Sequence, residues 1–107
     1  MNGYQKAFEN RIRLGIMSAL SVNDRLSFNE LKELLTLTDG NLASHLKSLE
    51  KEGFVVVSKS FIGRIPHTTY SMTDSGRIAF MDHLKALEAL IGLVNRSAGP
   101  STGSGSD

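Results

Sequence analysis

Residues 38–54 read TDGNLASHLKSLEKEGF, and the fold turns on how that stretch is organised. Leu42, Leu46 and Leu49 recur at spacings of four and three, which at about 100° per residue gathers them into one buried stripe on a helix. Thr38 stands where an N-cap hydroxyl is wanted, with Gly40 and Asn41 in the first turn. Away from the stripe the side chains are Asn41, Ser44, Lys47, Ser48 and Lys51, short or flexible groups able to donate hydrogen bonds, while the acids Glu50 and Glu52 are placed nearer the apolar side. Such a face suits the floor of a nucleic-acid groove. Gly53 supplies a left-handed helix stop, and the β-branched run FVVVSKSFI over 54–62 begins at once.

Upstream, Thr36 and Leu37 make a turn. Ser27 with Glu30 three residues on forms a capping box that opens a short helix through Leu35, with Leu31, Leu34 and Leu35 inward and Phe28 packed beneath. Residues 26–28 pair briefly as a strand. Two short helices joined by a tight turn, the second polar on its outer face, make a helix-turn-helix. Before it, Ile12, Leu14, Ile16, Met17 and Leu20 mark a core helix over 10–20 with Asn10 as N-cap, and SVNDR at 21–25 is turn chemistry. Tyr4 and Phe8 sit at helical spacing and pack on the body as an N-terminal extension.

Downstream, residues 54–62 run out, Gly63-Arg64-Ile65-Pro66 turns the chain, and 67–72 returns it, a hairpin with a long tip. No acid lies between Glu52 and Asp74, whereas Lys59, Arg64 and His67 do, so this arm is locally positive. Thr73 caps a last helix over 74–95. In it Phe80, Leu84, Leu87, Ile91 and Val94 repeat at four and three, and Ile78, Met81, Leu90 and Leu93 widen the apolar surface. At roughly 33 Å this helix exceeds what a small domain needs, so its second half is expected to pack against a copy of itself. Residues 97–107, SAGPSTGSGSD, form a Gly/Ser-rich tail expected to be disordered. The domain is therefore 1–96, dimerisation helix included.

The 107-residue length fits one domain without a cleft between lobes. There is no cysteine and no tryptophan, which removes disulfides and thiolate metal sites. No apolar run approaches the roughly 20 residues of a membrane span, and no signal peptide opens the chain, so a cytoplasmic location is expected. The net charge of +1 argues weakly against a nucleic-acid partner. The clustering of basic groups in the hairpin answers that objection.

The order helix, short strand, helix, helix, strand, strand, helix is that of a winged helix-turn-helix, an α+β fold that is mostly α. The stretches NRIRLGIMSAL, FNELKELL, TDGNLASHLKSLEKEGFV and KSFIGRIPHTTYSMTDSGR resemble the small winged-helix transcriptional regulators related to the MarR and ArsR groups, in particular a compact subfamily with a TDGNL recognition helix and a KxFxGRxP wing. The resemblance spans nearly all of residues 7–90. It implies that Thr38, Gly40, Asn41, Ser44, His45 and Ser48 lie on a helix whose N-terminal half enters the major groove. Asn41 would read adenine, and Ser44 or Ser48 would reach base edges or phosphates. Lys47 and Lys51 would sit on phosphates, as would the backbone N–H groups near Thr38. Arg64 would enter the minor groove with Lys59 and His67 flanking it. His45 is placed on the helix flank, touching the DNA backbone or nothing, and His83 on the surface of the last helix.

Two departures limit the resemblance. ArsR-type metal sensing needs cysteines or clustered His and Asp, whereas the three histidines here are scattered and the adjacent Asp82 and His83 point about 100° apart. MarR-type ligand crevices need longer terminal helices. No metal or cofactor is implied, and an effector is not readable. The expected function is a homodimeric transcriptional regulator reading a pseudo-palindromic operator in double-stranded DNA, with helix 38–52 in the major groove, wing 59–68 in the minor groove, and Phe80, Leu84, Leu87, Ile91 and Val94 at the dimer seam. The alternative is a winged helix used for protein–protein interaction without specific DNA binding. An enzyme is not expected, because no Ser/His/Asp set, paired carboxylates or phosphate-cradling glycine loop occurs. The operator, the regulated genes, and activation versus repression lie beyond sequence.

Overall fold

In the computed structural model, which describes residues 3 and 5–97, a 3-10 turn at Lys6–Glu9 leads into α1 (Arg11–Ser21), β1 (Leu26–Ser27), α2 (Phe28–Leu35), α3 (Asp39–Lys51), β2 (Val55–Ile62), β3 (Ile65–Met72) and α4 (Asp74–Ser97). The three strands form one antiparallel sheet in the order β1-β3-β2. The element order, the mostly helical content and the small sheet are those expected.

Each helix starts where its cap stands. Asn10 Oδ1 accepts from the N–H groups of Ile12 and Arg13 at 2.9 and 3.1 Å. Ser27 and Glu30 exchange both bonds of a capping box, at 2.8 and 3.1 Å, and Thr38 Oγ1 accepts from Asn41 N–H at 3.2 Å. A cap of this kind stabilises by about 1 kcal/mol. The turn between α2 and α3 is tighter than its sequence suggests: Thr36 adopts φ 53°, a left-handed conformation rare for a β-branched residue.

Ile16, Met17 and Leu20 of α1, Leu31 of α2 and Leu42, Leu46 and Leu49 of α3 are buried together with Val55, Phe8, Phe54 and Phe80. Burying each such side chain contributes about 1.5–3 kcal/mol. Phe8 sits at the hub, its ring centroid 5.2 Å from Phe54, 6.1 Å from Phe80 and 5.4 Å from His83. Tyr4, expected beside it, lies outside the described residues. Leu34, expected inward, is 60% exposed. An eight-residue helix buries a narrow stripe, here centred between Leu31 and Leu35, and Leu34 falls to its edge.

The hairpin departs from expectation at its tip. Ile62 pairs with Ile65 and Phe61 with Pro66, so the loop is Gly63-Arg64 alone and Pro66 belongs to the strand. Gly63 has φ +65° and Arg64 does not have a positive φ, the pattern of a type II′ turn.

The joint after α3 is knitted from several sides. Gly53 takes φ +81°, and its carbonyl accepts hydroxyl bonds from Thr73 at 2.6 Å and Ser75 at 3.2 Å. Thr73 Oγ1 in turn accepts Gly76 N–H at 2.9 Å, capping α4, and Thr73 N–H donates to Phe54 O at 3.1 Å. The end of α3 and the start of α4 are thus held through one dipeptide.

On α4 the inward stripe is Gly76, Phe80, His83 and Ala86, which corrects two expectations. Phe80, assigned to a dimer seam, is 3% exposed and packs in the domain's own core. His83, assigned to the surface, is 1% exposed and its Nδ1 accepts Gln5 N–H at 3.0 Å. Burial pushes its imidazole below the usual range, and the Glu9 carboxylate pulls weakly the other way. Ile78, Met81, Leu84, Leu90, Ile91, Leu93 and Val94 are exposed. The helix continues to Ser97, so residues 98–107 of the expected tail are the part that lies outside the described residues.

Candidate nucleic-acid interface

The helix α3 presents the face its sequence promises. With Leu42, Leu46 and Leu49 turned inward, Asn41, Ser44, Lys47 and Lys51 are exposed and His45 and Ser48 are half-buried. Ser44, His45 and Ser48 follow Asn41 at three, four and seven residues, hence on one side of the helix. At its start Thr38 and Gly40 are exposed, leaving early backbone N–H groups accessible to an anion. Asp39 stands beside them, its carboxylate 2.7 Å from Lys32 Nζ. Asp39 is largely exposed and Lys32 partly so, which makes the pair worth at most about 1 kcal/mol, but it offsets the negative charge at the start of α3.

One acid borders this face. Glu50 is exposed and, with Ser44, Lys47, Ser48 and Lys51, lines an open groove of about 560 Å³. Glu50 lies three residues from Lys47, so the two are surface neighbours. Burial raises the Tyr70 phenol above its usual range, and the Glu50 carboxylate adds to that rise. This acid therefore stands on the side of α3 nearer Tyr70 of β3.

His45 is tied down from below. Arg13 of α1, itself half-buried, donates from Nε to His45 Nδ1 at 3.1 Å and from Nη2 to Ser48 Oγ at 3.5 Å. Burial and then the Arg13 cation lower the His45 pKa, so the ring is neutral near pH 7. Arg13 escaped the sequence because it falls among the apolar positions of a core helix. An arginine there, three residues after a cap and off the Ile12-Ile16 line, is the signal that was available.

In the wing, Lys59 and Arg64 are exposed and His67 is half-buried. The register pairs Lys59 with Thr68 and Ser60 with His67, and paired residues share a face. Lys59 and His67 therefore lie on opposite faces of the hairpin and do not flank Arg64 as a set. The tip also carries Phe61, Ile62 and Ile65, all at least 62% exposed. Among the described residues no group of three His, Cys, Asp or Glu is placed to hold a metal ion, and no helix is long and apolar enough to cross a membrane.

A recognition-type helix capped on a tight turn, followed by a two-stranded arm and a long helix, matches the family model of the winged helix DNA-binding domain over residues 12–91. The chain belongs to that family. An uncharacterized protein of Methanocaldococcus jannaschii is 43% identical over 79 residues, 74% of this winged helix chain and 86% of its own. The solved structure of a transcriptional regulator homologue protein from Pyrococcus horikoshii OT3 is 35% identical, with a TM-score of 0.79 covering 83% of this chain and 88% of that one. Bacillus subtilis PadR, solved in complex with operator DNA, is 21% identical with a TM-score of 0.63 over 70% of this chain and 48% of its own. At that identity the likeness to PadR is one of winged helix fold.

Proposed function

We propose that this winged helix protein is a homodimeric, sequence-specific transcriptional regulator that reads a pseudo-palindromic operator. The helix α3 enters the major groove, with Asn41 and Ser44 at base edges and Lys47 and Lys51 on phosphates. Arg64 enters the minor groove from the two-residue wing tip, with the apolar side chains beside it resting on sugar faces. Leu84, Leu87, Ile91 and Val94 pair with a second copy and set the two recognition helices about 34 Å apart. The observation that carries this reading is the division of α3 into a fully buried leucine stripe and an outer face of exposed amide, hydroxyl and ammonium groups.

The exposed apolar tip formed by Phe61, Ile62 and Ile65 favours a second reading, a protein-interaction module in which the wing docks on a partner. Selection of bound duplexes from a random pool, run beside a sizing column, separates the two. The regulator enriches a two-fold symmetric site and elutes as a dimer. An interaction module enriches nothing, even at low salt.

A further inference from the structure

Arginine only donates hydrogen bonds, so each atom it meets must offer a lone pair. The Arg13 Nε bond therefore makes His45 Nδ1 the unprotonated nitrogen of the neutral ring and puts the proton on Nε2. The longer Nη2 contact engages a lone pair of Ser48 Oγ and leaves its hydroxyl hydrogen to rotate elsewhere. Neither His45 Nε2–H nor Ser48 Oγ–H meets a protein acceptor among the described residues. The two side chains are three residues apart on one side of α3, both half-buried and half open to whatever the helix contacts.

We propose that Arg13, which reaches this flank from α1, sets its hydrogen-bond polarity, leaving His45 Nε2–H and Ser48 Oγ–H as a pair of outward donors that select the N7 and O6 acceptor edge of guanine. Adenine offers N7 beside an amino donor at the same edge, so paired donors discriminate against it. A free histidine supplies a donor or an acceptor at either nitrogen, and a free serine both at once. The arginine removes that ambiguity at the histidine and, by occupying one of the two serine lone pairs, biases Ser48 toward donating, without itself being a base contact. It is a positioning residue, and the assignment rests on the DNA-binding reading above.

The test uses the full chain and a duplex it selects from a random pool. Replacing guanines one at a time by 7-deazaguanine removes N7. Wild-type protein loses about tenfold in affinity at one guanine per half-site, whereas Arg13→Met and His45→Ala bind native and deaza duplexes alike. In the free protein, nitrogen-15 imidazole spectra show His45 as the Nε2–H tautomer, and Arg13→Met mixes the two tautomers, a change that mere loss of packing would not produce. A wild-type Nδ1–H tautomer, or indifference to every deaza substitution in a duplex that binds, overturns this assignment alone. Uniform weakening of His45→Ala with unchanged base preference makes the acceptor a phosphate oxygen and also overturns it. If no duplex is enriched, the DNA-binding reading falls and takes this assignment with it.

Discussion

Gly76 lies so close to Phe54 that a β-carbon on it would stand 2.1 Å from the Phe54 carbonyl oxygen. The atom in the way is backbone, fixed by its bond to Thr73 N–H, and cannot swing aside as a side chain would. Gly76→Ala is therefore expected to destabilise by about 2–3 kcal/mol despite the better helix propensity of alanine. Urea unfolding at pH 7 measures it, and a loss below about 0.5 kcal/mol would mean that the joint yields.

Gly40 is the opposite case, since nothing lies within 4 Å of the position its β-carbon would take. Gly40→Ala should raise stability by about 0.5–1 kcal/mol. If DNA approaches the bare start of α3, the same substitution weakens operator binding, so stability and affinity move in opposite directions. Equal or better affinity in the variant would remove Gly40 from the interface.

Acid should loosen the fold through two histidines. Both His83 and His45 have folded-state pKa values below the unfolded 6.5, His83 chiefly through burial and His45 through burial and then Arg13. The unfolded chain then binds more protons in this range, so stability is fully present above about pH 6.5 and falls as the pH drops through the folded pKa values. His83→Gln should flatten part of that dependence. The urea midpoint followed from pH 7.5 to 5 checks it, and an unchanged midpoint over that range would contradict the burial of both rings.

Arg64→Ala is expected to weaken binding about equally on all duplexes and to reduce the slope of log affinity against log salt by about one. The folded state should be untouched, since Arg64 sits at the exposed tip. A gel shift at three salt concentrations is sufficient, and an unchanged slope would place the wing off the DNA.

Leu84→Glu with Ile91→Glu should give a folded monomer. Both side chains are exposed in the single chain, so their charges cost little until a second copy approaches. A sizing column run beside circular dichroism distinguishes this from unfolding, and a dimer that persists would move the seam elsewhere.

Much of this molecule was legible in its sequence because the signals were local. The caps at Asn10, Ser27, Thr38 and Thr73 each need only a hydroxyl or amide at the right offset, and the Leu42-Leu46-Leu49 stripe needs only periodicity. What escaped depends on which neighbour arrives. The α4 helix is apolar on more than one side, and nothing local says that the side bearing Gly76, Phe80 and His83 meets Phe8 and Phe54. His83 therefore read as surface and Phe80 as seam. Arg13 lies 32 residues from His45, a distance no motif spans. The wing tip was misjudged for a different reason: Pro66 reads as turn, although its partner Phe61 keeps it in the ladder.

From Glu88 to Val94 the last helix buries nothing fully against its own domain; only Gly92 is even half-covered. Helical turns without such support are marginal in water, so if a twin chain covers them, order in that segment is conferred by the twin. Occupancy of a target would then track protein abundance more steeply than in proportion. In the dilute regime, halving the number of chains leaves about a quarter of the competent pairs, making the helix a device by which the cell's own supply of the protein sets a threshold.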